Sequence, residues 1–377
     1  MIKRLSVSNY RSLGENVSVD LGQLTALVGP NGSGKSNVVD VLSFVSDAVR
    51  LGLADAISSR GEIAGVRRWS EQPSRLSIHL DLILQNGSPA SYGFEIESSY
   101  DEYETYTVEV EQGQVRVGEE DVRFRVEAGK WIEGPAGLNP PISQSSLVLS
   151  IIGGDARFQP LVQCLQQVAV YSIQPDALRG PQRYSPVRPM NRWGLSWASV
   201  LKDQPKETWR PDLVGALHSL TGDIEDIKVT SVESHLLVRF RHTAQEGGEK
   251  WLFSEQESDG TLRVAGIVTA LLQEPPVPVI VIEEPELTVH PGALPLLYDF
   301  LKEASRRSQV LLTTHSPELL DLIDEEDVRV VLRGSEGTTV APMSAAQRKA
   351  VREGLLTLGE VLRTEGLQPE LPATVGE

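Results

Sequence analysis

"LTALVGPNGSGKSNVVDVL", residues 24–42, decides the fold. Leu24 to Val28 read as a buried strand, and a glycine-rich turn follows. Apolar residues then recur at helical spacing as far as residue 49. The turn itself, "GPNGSGKS" from Gly29 to Ser36, fits G-x-x-x-x-G-K-[ST] in full. A strand before it and a helix after it are the context this pattern requires. Gly29, Gly32 and Gly34 let the backbone wrap a phosphate without Cβ clashes, with Pro30, Asn31, Ser33 and Asn37 completing the cradle. Exposed N–H groups and the helix N-terminus favour negative charge. Lys35 is expected to reach the β- and γ-phosphates and the Ser36 hydroxyl to ligate Mg²⁺.

Working outward, the 377 residues allow two domains, or one domain with two lobes. The single cysteine, Cys164, excludes a disulfide framework and a cysteine-rich metal site. The N-terminus "MIKRLSVSNYRSL" has no apolar signal core, and no apolar run reaches the roughly 18 residues of a membrane span. A cytoplasmic location is expected. Acidic residues outnumber basic ones 52 to 35, a formal net charge of −17. That balance argues against broad coating of nucleic acid.

Short strands are expected at Ile2–Ser8 and 17–21. From about Arg75 to Glu127 the pattern alternates, as in "RLSIHLDLIL", which predicts an antiparallel sheet. The Gly/Pro/Ser-rich stretch "EGPAGLNPPISQS", 133–145, marks a lobe boundary. Helices are expected at 160–168 and 211–220, and strands at 224–232 and 235–242. From Ser258 the order is helix, strand 279–282, helix 292–305, strand 310–313 and a helix opening at Ser316.

The stretch "PVIVIEEPELTVHP", 278–291, ends an apolar strand in clustered carboxylates. Burying unpaired charge is costly, so these acids need partners. In parallel sheets the C-terminal strand edges form the ligand crevice. If the strands ending at Val28, Ile282 and Thr313 lie side by side, that crevice gathers Lys35, Ser36, Glu283, Glu284 and His315. Successive strand residues face opposite sides, so the two glutamates divide the work. Glu283 is assigned to the metal shell and Glu284 to polarising an attacking water. In "TTHSPELL", Ser316 suits an N-cap and Pro317 the first helical position, which fixes His315 at the turn, able to donate to a γ-phosphate.

Together, "GPNGSGKS", "ESDGTLR", "VIVIEEPELTVHP" and "LLTTHSPELLD" resemble the ATP-binding-cassette ATPases of the SMC, RecF and OLD type. More narrowly, they resemble that branch's short ATPases without a long coiled coil or Toprim domain. The resemblance implies an α/β P-loop fold with ABC-ATPase head architecture. A mixed central sheet would be joined by an antiparallel β subdomain and a helical lobe. Residues 1–135 and 276–343 would form the nucleotide-binding lobe, 136–275 the second lobe, 344–363 C-terminal helices and 364–377 a mobile tail.

The resemblance also makes "SDGTLR" the signature motif, with Ser258, Asp259 and Gly260 facing ATP held by a second copy. Two heads would then sandwich two ATP molecules. Leu287 to His290 would be the D-loop, flanked by Glu286, and Arg11 in "NYRSL" would lie near the base. Glu283 stands where many relatives carry aspartate, the "LSGGQ" form is absent, and the Q-loop glutamine stays open between Gln85 and Gln144.

Three functions compete. One is an ATP-gated dimer acting on DNA, in repair or phage defence. The stretch "ALRGPQRYSPVRPMNRW", 177–193, supports it, since Arg179, Arg183, Arg188 and Arg192 occur there without an acid. The plainer reading is a loop whose arginines pair with the lobe's own acids. Arg67 and Arg68 beside Trp69 are a weaker second patch. Another function is the nucleotide-binding subunit of a membrane transporter. The gap of roughly 220 residues between Ser36 and Ser258 argues against it. The third is a regulatory ATPase restraining a toxic effector such as a nuclease. About 45 residues follow "LRG", too few for a catalytic domain, so the effector would be a separate protein.

Overall fold

The computed structural model describes residues 1–68, 75–99, 105–243 and 249–370. Trp69 of the weaker basic patch and residues 371–377 of the expected tail lie outside the described residues. The chain forms two compact units. The first holds Met1–Val168, Glu325–Leu356 and the described residues from Glu365 onward; the second holds Ala169–Asp324 and Thr357–Thr364.

In the first unit, a seven-stranded antiparallel sheet runs in the order β2-β1-β4-β5-β6-β7-β8. Its strands are β1 (Ile2–Ser8), β2 (Val17–Asp20), β4 (Leu76–Ile83), β5 (Pro89–Ser98), β6 (Tyr106–Val117), β7 (Glu120–Glu127) and β8 (Lys130–Glu133). Strand β4 buries Leu76, Ile78, Leu80 and Leu82 and turns the intervening residues outward, as period-2 patterning requires. Strand β3 (Leu24–Val28), buried at every position, pairs in parallel with β16 (Val328–Gly334), Ala26 opposite Val328. Strand β17 (Gly337–Pro342) pairs antiparallel with β16.

Helix α1 (Lys35–Arg50) leaves the glycine turn and packs Phe44 against Phe94 of β5, ring centroids 6.2 Å apart. Short helices α2 (Leu53–Ser58), α3 (Glu62–Val66), α4 (Val148–Ile152), α5 (Gln159–Gln166) and α12 (Ala345–Arg352) complete this unit. Helix α5 stops before the expected residue 168, because "VAVY" forms strand β9 (Val168–Tyr171). A β-branched and aromatic run of this kind favours a strand over another helical turn.

In the second unit, β14 (Val279–Glu283) and β15 (Gln309–Thr314) pair in parallel, with Glu283 opposite Thr313, and β9 lies beside β14. Strand β12 (His235–Thr243) is central to a separate antiparallel sheet, flanked by β10 (Gln182–Arg183), β11 (Ile224–Val232) and β13 (Glu249–Phe253). Helix α9 (Asp259–Leu271) is buried from Thr261 to Leu271, as its apolar circumference demands.

Around α9 lie α6 (Pro175–Arg179), α7 (Trp197–Asp203), α8 (Lys206–Thr221) and α10 (Leu294–Ala304), while α11 (Pro317–Leu320) packs against α10 and α13 (Leu358–Thr364). Helix α8 starts before the expected Pro211 and carries that proline inside, where only the bond to the Glu207 carbonyl is forfeited. The expected helix 292–305 divides into a tight turn, Pro291–Ala293, followed by α10. Ser316 caps α11 as expected, its hydroxyl accepting from the Leu319 N–H at 3.2 Å, and α11 is a single turn.

Candidate active site

The cradle occupies the first unit, between β3 and α1. Gly32 and Gly34 adopt φ of +77° and +107°, a region closed to most side chains. A Cβ on Gly34 would lie 2.4 Å from Thr338 Oγ1, and one on Gly29 would lie 2.0 Å from the Val331 carbonyl oxygen. A hydroxyl network holds the turn. Thr338 Oγ1 donates to the Ser33 carbonyl at 2.8 Å and lies 2.8 Å from Ser12 Oγ, which accepts from Asn37 Nδ2 at 2.6 Å.

Lys35 is buried, and its ammonium donates to the carbonyls of Gly29 (2.7 Å) and Pro30 (3.2 Å). Pro30, Asn31, Gly32 and Ser36 are exposed. Ser33 Oγ is buried without a hydrogen-bond partner. A glycine-walled concavity with a lysine ammonium and an orphaned hydroxyl suits a polyphosphate. Arg11 pairs with Asp40 at 3.0 Å and donates to the Gly65 carbonyl at 3.0 Å. Gln144 is engaged with the Ala128 carbonyl at 3.0 Å.

The carboxylates occupy the second unit. Glu283 ends β14, and its carboxylate is nearly buried beneath the guanidinium of Arg192. Glu284 has left the strand: its φ is +46°, left-handed and non-glycine. The two glutamates are therefore separated by a backbone reversal and not by strand alternation. Such a residue stores of order 1–3 kcal/mol and persists only when its surroundings over-determine it. Here the Glu284 N–H donates to the Thr313 carbonyl at 3.0 Å, and its carbonyl accepts from Arg263 at 2.8 Å. Arg263, buried in α9, also donates to the carbonyls of Ile173 and Glu283.

His315 Nδ1 lies 3.6 Å from Glu284 Oε1 and 3.8 Å from Glu286 Oε1. Glu286 Oε1 in turn accepts from Thr314 Oγ1 at 2.7 Å and from the His315 N–H at 3.3 Å, so it holds the histidine turn. His290 points elsewhere and caps the 291–293 turn, accepting from the Gly292 N–H at 3.1 Å.

The "SDG" stretch opens α9 with Ser258 and Asp259 exposed, Ser258 Oγ accepting from the Thr261 N–H at 3.1 Å. A Cβ on Gly260 would meet the Thr288 carbonyl at 2.8 Å, so only glycine allows that approach. Arg179 anchors this stretch through the Glu257 carbonyl, at 2.8 Å, and the Asp259 carboxylate. His242 bridges Asp223 (3.0 Å) and Glu257 (2.8 Å). Burial opposes its positive charge, but the hydrogen bonds the charged ring donates to both carboxylates prevail and raise its pKa.

Three of the four arginines in the 177–193 stretch are thus engaged within their own unit: Arg179, Arg192, and Arg188, which meets Asp203 at 2.6 Å. Arg183 is exposed on β10. The stretch is partly ordered as α6 and β10 and is not extended throughout. Arg263 is a support that motif reading passed over, its only signal being its place at the end of "SDGTLR"; Glu286, named from the sequence only as flanking the D-loop, also braces the histidine turn.

Among the described residues no group of three or more His, Cys, Asp and Glu is placed to hold a metal. The donor set instead suits Mg²⁺, which takes one or two protein oxygens and completes its shell from phosphates and water. Ser36 beside the cradle and Glu283 at the end of β14 each offer one oxygen donor of that kind, each within its own unit.

A glycine-cradled lysine before α1 and a carboxylate-tipped strand β14 define an ABC-type P-loop ATPase of the SMC/RecF/OLD-like branch. The chain belongs to the family described as "AAA domain, putative AbiEii toxin, Type IV TA system", whose model matches residues 24–134 and 170–321. It is 25% identical over 387 residues to the OLD nuclease of Thermus scotoductus (strain ATCC 700910 / SA-01), covering 94% of this chain and 66% of that protein. Over 61 residues it is 48% identical to the chromosome partition protein Smc of Bacillus subtilis (strain 168), covering 16% of this chain and 5% of that one.

Two solved structures share the fold. One is the Pyrococcus furiosus Smc head bound to the C-terminal domain of ScpA: TM-score 0.53, 13% identity, 94% of this chain and 99% of that one. The other is an Smc head bound to the C-winged helix domain of ScpA: TM-score 0.53, 15% identity, 92% and 99% covered. Among the described residues no helix is long and apolar enough to cross a membrane.

Proposed function

We propose that this chain binds and hydrolyses ATP with Mg²⁺ as one half of a head-to-head dimer. It works with a separate effector, a nuclease or similar protein, in DNA repair or anti-phage defence. The cradle carries the reading: Gly29 and Gly34 leave no room for a Cβ, and a buried lysine ammonium sits inside it. Lys35 binds the β- and γ-phosphates, while Ser36 and Glu283 would hold the metal ion. When bound, that ion supplies charge neutralisation at the phosphate oxygens.

Glu284 orients a water on the γ-phosphorus and accepts its proton as the bond to the β-phosphate oxygen breaks. ADP and inorganic phosphate are the products. The left-handed turn at Glu284, braced by Arg263 and Thr313, supports this role by fixing the carboxylate before substrate arrives. His315 donates to a γ-phosphate oxygen. Exposed Ser258 and half-buried Gly260 at the N-terminus of α9 meet the partner's phosphate, where the helix end favours anions. Glu286 to His290 form the dimer-facing loop.

The 25% identity to a protein named OLD nuclease supports a link to nuclease action. Calorimetry of ATP binding to the parent and to Lys35→Ala tests the core of the proposal. Loss of binding in the variant is expected; undiminished affinity overturns the cradle assignment.

A further inference from the structure

Arg192 stands in an unusual relation to the carboxylate assigned to the metal. Its Nη2 donates to Glu283 Oε2, whose side chain keeps only 11% of its exposure. The arginine is 39% exposed, so it approaches from the open side. The pair is single-ended: Arg192 Nε is buried without a hydrogen-bond partner. A guanidinium that could grip a carboxylate with two parallel bonds here uses one, leaving a donor unsatisfied. That arrangement is weaker than a bidentate fork and is suited to exchange.

The backbone on either side of Arg192 is tied down locally. The Ser172 N–H donates to the Arg192 carbonyl at 2.9 Å, and the Gln174 N–H to the Trp193 carbonyl at 3.1 Å. Beyond these ties, Trp193 and Leu195 are 47% and 55% exposed.

We propose that Arg192 is a cationic gate on Glu283. The guanidinium and a divalent ion compete for one carboxylate, and entry of the ion releases Arg192 and loosens the segment 190–196. Two facts of charge favour the competition. A carboxylate donating electron density to a guanidinium is a poorer metal ligand, and two cations on one carboxylate repel each other. Releasing the arginine costs little, because its Nε has no bond to lose and its head already reaches solvent. The gate rests on the reading of Glu283 as a metal ligand and adds a regulator to it.

The test measures Mn²⁺ affinity by electron paramagnetic resonance, with a non-hydrolysable ATP analogue at saturation, in the parent and in Arg192→Ala. The variant is expected to bind Mn²⁺ about tenfold more tightly, the factor one charge-assisted hydrogen bond corresponds to. Equal or weaker Mn²⁺ binding in the variant overturns the gate. A parent that binds the analogue but takes up no Mn²⁺ overturns the metal-ligand reading itself, so the two failures are distinguishable.

Hydrogen exchange on the parent alone covers the case of a variant that fails to fold. Adding Mn²⁺ to the analogue-bound protein is expected to speed exchange across residues 190–196. Unchanged or slower exchange there, in a protein that has bound the ion, counts against release of Arg192.

Discussion

Arg263 donates a hydrogen bond to the main-chain carbonyl of Glu284 at 2.8 Å, from a side chain that is 3% exposed. One residue of α9 thereby braces the left-handed turn that presents the carboxylate proposed to activate water. Replacing it with methionine keeps the volume and strips the donors from the carbonyls of Ile173, Glu283 and Glu284. Arg263→Met is expected to lower stability by ~1–3 kcal/mol in urea unfolding, the cost of leaving buried acceptors unsatisfied. ATP affinity should change little while turnover falls. Full turnover with lowered stability would make Arg263 a packing residue only.

Glu284→Gln removes the proton acceptor and keeps the shape. Hydrolysis is expected to fall by roughly 10²–10⁴-fold, the usual contribution of a general base. The variant should retain ATP and run as a dimer in size-exclusion chromatography with light scattering. Hydrolysis at the parent rate would remove Glu284 from that role.

Ser258→Arg places bulk and charge at the exposed cap of α9, outside the cradle's own unit. Each chain is expected to bind ATP normally by calorimetry and to lose hydrolysis. Normal turnover would contradict a site shared between two copies.

Glu111 makes a pH prediction independent of nucleotide. Its carboxylate is fully buried and accepts from the Tyr92 hydroxyl at 3.0 Å and from the N–H groups of Val148 and Leu149. Burial pushes its pKa up to about 7, against the pull of those hydrogen bonds. A carboxyl whose folded pKa is raised stabilises the fold fully below its unfolded pKa, and loses that contribution as pH rises through the folded value. The melting temperature should therefore fall between about pH 5 and pH 7 by more in the parent than in Glu111→Gln. Parallel pH profiles would show that Glu111 stays ionised in the fold.

Much of the fold was readable where local chemistry dominates. Strands β1 and β3 begin and end at the expected residues, because alternation or an unbroken apolar run meets a clear turn signal. Helix α1 extends one residue beyond the expected span at each end. The β16–β17 hairpin escaped notice, since "VRVVLRG" and "GTTVAP" are short runs that do not declare their period. In the site, contiguous motifs were legible and their braces were not. Arg192 meets an acid 91 residues away, and Arg188 and Arg179 meet Asp203 and Asp259. A stretch without acids of its own looked free because its counter-charges arrive only through folding.

The approach of Gly29 to Val331 has a consequence for how this chain can change. A single methyl at position 29 would sit 2.0 Å from a strand carbonyl, so it cannot be tolerated by side-chain adjustment alone. A mutational path through that position must first push β16 aside, which disturbs its parallel register with β3. The turn and a strand three hundred residues later are thus one unit of inheritance, altered together or not at all.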